Sequence, residues 1–144
     1  MKKEIDELFE KRLLRKISID EEKVKSSIKI SEIKLEESKK LFNADFFGNT
    51  LLSVYTSMFH AARALLYKDG VQEKSHYAVY IYLREIFSDK ISKSLLNSFN
   101  NYREIRHHIL YGEESKIEKE DAENALQDAE DFLEEIREIL DNEK

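Results

Sequence analysis

Apolar residues recur at intervals of three and four along most of the chain, which is the pattern of helices that bury one side. No stretch shows the strict apolar–polar alternation of a half-buried strand. The pattern therefore predicts an all-α fold, an antiparallel bundle of four or five helices. The predicted helices lie in residues 3–15, 21–41, 45–69, 75–87, 89–111 and 118–140.

Short polar residues and glycines mark the expected ends of these helices. A Ser or Asp side chain just before a helix can accept a hydrogen bond from an unpaired backbone N–H of the first turn. Gly70 and Gly112 suit the left-handed position that follows a helix C-terminus. The candidate N-terminal caps are Ser18 or Asp20, Asp45, and Ser88 or Asp89.

The second and third predicted helices differ in their apolar surface. The third contains an uncharged run over 46–62 and is expected to be the core helix. That run is short and contains several polar side chains, so it does not suit a membrane span, and we expect a soluble, cytoplasmic protein without a membrane partner. The second helix is expected on the surface, because its apolar stripe is broad and lies among charged residues. The stripe consists of Val24, Ile28, Ile30, Ile33 and Leu35.

Composition supports one helical domain in 144 residues, with a helical extension over 1–17 and the bundle over 21–141. The chain has no proline and three glycines, so little interrupts its helices. It has no cysteine, which excludes disulfides and thiolate chemistry. The residues after Met1 are charged and amphipathic, unlike a signal peptide.

The formal net charge is −6, so the chain as a whole is not a basic nucleic-acid binder. Any contact with RNA or a nucleotide must come from a local basic patch. One candidate is the segment 102–112, and the other is a group of four residues near the N-terminus. That group consists of Lys11, Arg12, Arg15 and Lys16.

The segment 102–112 places two arginines, two histidines and two tyrosines on one predicted helix, and Gly112 ends it. One reading is structural, since cations are favourable near a helix C-terminus and a tyrosine often packs at the edge of a core. The other reading is a site that binds phosphate and moves a proton. On a helical projection the candidates follow an apolar stripe formed by Ile91, Leu95, Phe99, Tyr102, Ile105 and Ile109. The candidate site residues along the adjacent arc are Arg106, Arg103, His107 and Tyr111, while His108 points away from it.

The other histidines have ordinary structural readings. His60 lies in the uncharged helix and is expected to be a hydrogen-bonded core histidine. His76 follows Ser75 at a helix start, where a capping or packing role is expected. Either histidine could line a cleft if the core helix faces the segment 102–112. We expect no metal and no cofactor, because the acidic residues of the last helix lie around a solvated face and no phosphate loop or metal motif is present.

Four segments together resemble HEPN-domain proteins of the UPF0332 type. They are 53–66 (SVYTSMFHAARALL), 68–77, 102–112 (YREIRHHILYG) and the N-terminal 8–17. The resemblance spans nearly the whole chain in the right order. It implies a helical bundle that dimerises through the helices carrying the signature. Many such proteins are metal-independent ribonucleases with an Arg-x(4–6)-His motif at a composite cleft. Others are inactive modules that bind RNA or nucleotides, and several are encoded beside a minimal nucleotidyltransferase that can modify a tyrosine near the motif.

The chain departs from the simple motif. Arg103-x4-His108 matches its letters, but on a regular helix these side chains point about 140° apart. Aligned on the Tyr-Gly ending, Arg106-x4-Tyr111 occupies the motif, with tyrosine in the histidine position. His107 could replace that histidine, since it lies one turn from Arg103.

Two functions follow as hypotheses. The first is a metal-independent endoribonuclease, a toxin or defence effector, that works as a homodimer. In it His107 or His108 is the base, Arg103 and Arg106 bind phosphate, and Tyr111 donates a hydrogen bond. The second is a non-catalytic nucleotide- or RNA-binding module that pairs with a minimal nucleotidyltransferase. In the dimer, four clustered arginines need an anion or acidic side chains, for which Glu104, Glu113 or Glu114 are candidates, and the interface is expected to include Leu110 and Phe99.

Overall fold

The computed structural model describes residues 2–112 and 116–142, and this part of the chain forms six helices and one pair of short strands. The all-α bundle predicted from the sequence is confirmed. Four helices are long and two, α1 and α4, are shorter. The elements are α1 (Lys2–Glu10), β1 (Leu14–Lys16), α2 (Glu21–Asn43), α3 (Phe47–Lys68), β2 (Val71–Glu73), α4 (His76–Ile86), α5 (Lys93–Leu110) and α6 (Lys119–Asn142). None of the helices described is long and apolar enough to cross a membrane.

The two strands correct the expectation that the chain contains helices alone. β1 pairs antiparallel with β2, with Leu14 opposite Glu73 and Lys16 opposite Val71. Residues 14 and 15 were expected at the end of the first helix, but α1 already stops at Glu10. Strands of three residues are too short to show an alternation, and their pairing partner lies far away in sequence. The pair attaches the N-terminal segment to the chain between α3 and α4.

Helix α3 is the centre of the molecule. Fourteen of its 22 residues are buried, so neighbours cover it on most sides. It packs against α2, α6, α5, α4 and β2. The uncharged run over 46–62 is therefore the core helix, as predicted, because only a helix without charges can be enclosed by four others at low cost.

The packing of α2 on α3 differs from the prediction. The buried seam of α2 is rich in serine, whereas Ile30 and Ile33 of the predicted stripe are 37% and 52% exposed. The Ser57 hydroxyl donates to the Ser31 carbonyl at 2.7 Å, and the two Oγ atoms are 3.1 Å apart. The Ser53 hydroxyl donates to the Lys34 carbonyl at 3.0 Å. Small hydroxyl side chains let the two helices approach closely while their polar atoms stay paired.

Helix α5 is attached to the core by a row of aromatic rings. Phe99 is fully buried between Tyr55 and Phe132, with ring centroids 5.5 and 5.3 Å away. The Tyr102 hydroxyl donates to Asp128 Oδ2 of α6 at 2.5 Å. The prediction that Phe99 takes part in a dimer interface is therefore wrong, because the ring already belongs to the core of one chain.

The cap predicted for α5 was also wrong. The helix begins after Ser92, and residues Phe87 to Ile91 form a separate turn in which the Ile91 N–H donates to the Phe87 carbonyl. Glu135 of α6 accepts hydrogen bonds from the Ser92 backbone N–H and hydroxyl at 2.9 and 3.1 Å. A carboxylate from another helix thus supplies the N-terminal cap. Asp20 caps α2 as predicted, through the Glu22 N–H.

Four of the described helices are each followed by a residue with a left-handed backbone. Gly70 (φ 71°) and Gly112 (φ 74°) end α3 and α5 as predicted. Asp45 (φ 65°) ends α2 in the same way, so it is a C-terminal residue of α2 and not the predicted cap of α3. Arg12 (φ 60°) ends α1, where the Leu13 N–H donates to Leu8 O and the Arg12 N–H to Phe9 O. This conformation costs a residue other than glycine about 1 kcal/mol.

We expect the α2–α3 seam to tolerate no larger side chain. Ser31 is completely buried, so Ser31→Leu would overpack the interface and lower the free energy of unfolding by about 1–3 kcal/mol, although the Ser31 carbonyl would still accept from the Ser57 hydroxyl. The matched control, Ile33→Ser, changes an exposed residue of the same helix and should cost less than about 0.5 kcal/mol. Urea denaturation followed by circular dichroism measures both. A larger loss for Ile33→Ser than for Ser31→Leu would contradict the serine seam.

Candidate functional site

Two arginines of α5 lie against aromatic rings of neighbouring helices. The Arg103 Cζ is 5.1 Å from the ring centroid of Tyr77 at the start of α4. The Arg106 Cζ is 5.7 Å from the ring centroid of Tyr55 in α3. Asn100 Oδ1, one turn earlier in α5, accepts from Arg103 Nε and Nη2 at 3.1 and 2.9 Å. Ring faces and an amide oxygen therefore orient the guanidiniums.

Neither guanidinium has a carboxylate partner within residues 2–112 and 116–142. Glu104, one of the three acidic candidates for pairing with the clustered arginines of a dimer, accepts a hydrogen bond from Asn100 Nδ2 at 3.3 Å in the single chain. Glu113 and Glu114, the other candidates, lie outside the described residues. An aromatic ring orients a cation without cancelling its charge, so both guanidiniums keep a full positive charge for an anion.

A histidine and a tyrosine form the floor beneath these arginines. His76 Nδ1 and the Tyr55 hydroxyl are hydrogen-bonded at 2.9 Å. The His76 ring also stacks on Phe59, with centroids 4.2 Å apart. His76 thus has a packing role as predicted, while Ser75 supplies the cap of α4 by accepting from the Ala78 N–H.

The electrostatics keep this floor neutral. Burial, followed by the Arg106 and Arg103 guanidiniums, lowers the pKa of His76 to about 4. Burial raises the pKa of the Tyr55 hydroxyl above its ordinary value, although the same two arginines act in the opposite direction. At neutral pH an imidazole and a phenol without charge therefore lie below two cations.

The remaining predicted site residues lie on the outer side of α5. His107, His108 and Tyr111 are all exposed, and Tyr111 is 70% exposed. The His107 ring is 4.6 Å from that of Tyr111 and 6.2 Å from that of His108. The structure thus brings the five predicted residues into two neighbouring groups on one helix. Arg103 and Arg106 face α3 and α4, whereas the other three extend towards solvent.

His60 does not match its prediction. Its Nδ1 atom is buried and has no hydrogen-bond partner among the described residues, so it is not the hydrogen-bonded core histidine expected from the sequence. Burial, followed by Arg63 and Lys34, lowers the pKa of its ring, which favours the neutral form. Arg63, one turn later, forms an ion pair with Glu73 at 3.0 Å.

Sequence reasoning missed Tyr55 and Tyr77 as parts of the site and gave His76 only a conditional place. Each lies on a different helix from the arginines, and contacts between helices leave no spacing signal. One signal was present, because Tyr55 and the pair His76–Tyr77 fall in two of the segments that carried the family resemblance. Within the described part of the chain, no three His, Asp or Glu side chains converge in a way that could hold a metal ion.

A helical bundle that presents two unneutralised arginines beside exposed imidazoles provides a site for an anionic ligand. The chain belongs to the HEPN domain family, whose family model matches residues 24–139. Two similar proteins come from Methanocaldococcus jannaschii. The one named Putative toxin MJ0142 is 29% identical over 142 residues, covering 97% of this chain and 90% of that protein. The one named Putative toxin MJ0605 is 28% identical over 129 residues, covering 83% and 90%.

We expect the stability of the protein to decrease in acid because of His76. The unfolded chain takes up a proton near the ordinary pKa of 6.5, whereas the folded chain does so only near 4, so stability present above pH 6.5 is lost as the pH falls towards 4. Between about pH 7 and pH 5, wild type should lose on the order of 1 kcal/mol more than His76→Gln, a value reduced for the partial exposure of the ring. Urea denaturation at the two pH values measures the difference. An equal loss in His76→Gln would exclude His76 as the cause.

Proposed function

We propose that this chain is a toxin of the HEPN family that cleaves RNA without a metal ion, as a homodimer with a composite cleft. The observation that carries the proposal is the pair Arg103 and Arg106, which aromatic rings orient and no described carboxylate neutralises. Positioned guanidiniums bind phosphate oxygens through short, charge-assisted hydrogen bonds. The printed names of the two relatives, both putative toxins, support the toxin role.

The proposed chemistry is an internal transfer at the RNA backbone. His107 takes the proton from a ribose 2′-hydroxyl, and the 2′-oxygen attacks the adjacent phosphorus. The bond from phosphorus to the 5′-oxygen breaks, and that oxygen takes up a proton, leaving a 2′,3′-cyclic phosphate and a 5′-hydroxyl. Arg103 and Arg106 stabilise the charge that develops on the phosphoryl oxygens. Tyr111 donates a hydrogen bond to a phosphate oxygen, and His108 is the alternative base.

A homodimer supplies what one chain lacks. The arginines and His107 lie on the surface of a single helix, which cannot enclose a phosphodiester from two sides. Leu110 follows within the same segment and is 51% exposed, and Tyr111 beside it is 70% exposed. Two large apolar or aromatic side chains exposed at the end of α5 support an interface there between two copies of the chain.

One observation favours a second function. Tyr111 occupies the position of the motif histidine and its ring is exposed, so its hydroxyl is accessible as an acceptor for a nucleotide. The net charge of −6 also gives no long-range attraction for RNA. In this alternative the chain is a non-catalytic module that binds RNA or a nucleotide and pairs with a minimal nucleotidyltransferase.

We expect purified protein to cut single-stranded RNA in the presence of EDTA and to leave 2′,3′-cyclic phosphate ends. Arg106→Ala should lower the rate about 10²–10³-fold and His107→Ala about 10²–10⁴-fold. Arg84→Ala is the matched control, because Arg84 also lies over a tyrosine but is paired with Glu4 and Glu85, and it should keep wild-type activity. Intact RNA with wild type at every pH tested would remove the ribonuclease and leave the second function.

The dimer is tested separately by sedimentation velocity. Wild type at micromolar concentration should sediment as twice the 17.1 kDa chain, whereas Leu110→Lys should shift towards the monomer while its circular dichroism stays unchanged. Ile30→Lys, at an exposed isoleucine of α2, is the control and should remain dimeric. A monomer at all concentrations, with and without RNA, would contradict the composite cleft.

A further inference from the structure

A second cationic surface surrounds the strand pair. An open cavity of about 440 Å³ lies there, and four of its six lining residues carry a positive charge. All four cations are exposed, and none forms an ion pair within the described part of the chain. Four unneutralised cations around one cavity are unusual in a chain with a net charge of −6. The lining residues are Phe9, Arg12, Leu14, Arg15, Lys16 and Lys74.

The strand pairing holds these cations in place. Leu14 is 1% exposed and anchors β1 in the core, while Arg15 and Lys16, the next two residues of β1, stay exposed. The Lys74 N–H donates to the Leu13 carbonyl at 2.8 Å, which extends the pairing by one residue. Glu73 would be the nearest carboxylate on β2, but its side chain is bonded to Arg63. The fold therefore removes the acid that could cancel the cluster.

Arg12 provides an independent observation. It occupies the left-handed position that ends α1, which Asp45, Gly70 and Gly112 occupy after α2, α3 and α5. Glycine adopts this conformation freely, and aspartate tolerates it, but a long side chain gains nothing from it. The Arg12 side chain has no hydrogen-bond or ion-pair partner among the described residues that would offset the strain. Strained backbone of this kind is typical of residues kept for binding.

The cavity lies next to the candidate site along the chain. Tyr77, whose ring contacts Arg103, lies three positions after Lys74, and three such steps of the chain span at most about 11 Å. A strand of RNA held by Arg103 and Arg106 would therefore reach the cavity within a few nucleotides. Backbone phosphates at that spacing meet one cation after another.

We propose that this cavity binds the phosphates of single-stranded RNA beside the cleaved bond and is an accessory part of the substrate site. The inference rests on the proposed function, because it takes RNA as the substrate. Exposed Lys and Arg around an open cavity suit a flexible phosphate backbone, which is bound through charge and without a deep pocket. An acidic protein segment is the competing ligand, and the apolar side chains that the cavity offers it are the half-buried Phe9 and the buried Leu14.

The test measures binding of a short RNA with 2′-O-methyl sugars, which blocks cleavage by the proposed mechanism. Fluorescence anisotropy over a range of salt concentrations compares wild type with Arg15→Gln/Lys16→Gln. The double variant should bind about tenfold more weakly at low salt, and its slope of log K against log salt should be smaller by about 1.4, or 0.7 per phosphate lost. Lys90→Gln/Lys93→Gln removes the same charge from exposed positions elsewhere and should bind within about twofold of wild type.

Arg12→Gly separates binding from folding. It relieves the strained backbone, so its melting temperature should equal or exceed that of wild type while its affinity for the RNA falls. Unchanged affinity in both the Arg12 and the Arg15/Lys16 variants would overturn the inference, as would a wild type that binds polyglutamate and not RNA. Cleavage of unmodified RNA is measured in parallel. If wild type binds RNA through the cavity but does not cut it, only the ribonuclease proposal is contradicted. If wild type cuts RNA and the cavity variants bind as tightly as wild type, only this inference is contradicted.

Discussion

The enclosure of α3 is the constraint on which the rest of the structure depends. A helix covered by four others can bury a charge only at high cost, so α3 is uncharged over 46–62, and Arg63, the charged residue that follows this run, forms an ion pair with Glu73. The same helix supplies Tyr55 and Phe59, which hold His76 and the guanidinium of Arg106. The core and the candidate site are therefore parts of one packing arrangement. Changes inside α3 would disturb both.

Within residues 2–112 and 116–142, two groups of cations have no carboxylate partner, although acidic residues outnumber basic ones in the chain. This results from local arrangement, because Arg103 and Arg106 lie on rings and Glu73 is bound by Arg63 away from the strand pair. The lowered pKa of His76 is a consequence of the same arrangement, since two nearby cations oppose its protonation. The positive potential at these two places arises because the fold keeps carboxylates away from the cations. The net charge of the chain does not reveal it.

The periodicity of apolar residues was sufficient to predict the long helices and the core helix, since long apolar stripes and an uncharged run are strong signals of burial. It was partly right for α2, because Val24 and Leu35 of the predicted stripe are buried. Ile30 and Ile33 are exposed, however, and serines fill the rest of the buried seam, because hydropathy does not register a hydroxyl that is paired across two helices. The caps were partly predictable. Asp20 acts locally, but Ser92 receives its partner from Glu135, 43 residues later, and no local pattern encodes such a contact.

The candidate site shows the same division between local and distant information. Its five residues on α5 could be read from one segment, whereas Tyr55, His76 and Tyr77 enter through tertiary packing. The arginine pair could be predicted from the sequence, whereas the neutral rings of Tyr55, His76 and Tyr77 beneath it are seen only in the fold. That floor matters chemically, because the same arginines paired with carboxylates would form salt bridges and have little charge left for a ligand.

The five-residue spacing of the Arg-x4-His and Arg-x4-Tyr pairs limits how the arginines and the exposed histidines and tyrosine could act together. Residues five apart on a helix with 3.6 residues per turn point about 140° from each other, and this holds for Arg103 with His108 and equally for Arg106 with Tyr111. In the structure Arg106 accordingly lies against Tyr55, while Tyr111 extends into solvent beside His107. One copy of the helix cannot direct both members of either pair at the same phosphate. Within one copy, Arg103 and His107 are four residues apart and point only about 40° from each other, whereas the proposed two-fold partner could place its imidazole opposite the arginines of the first copy.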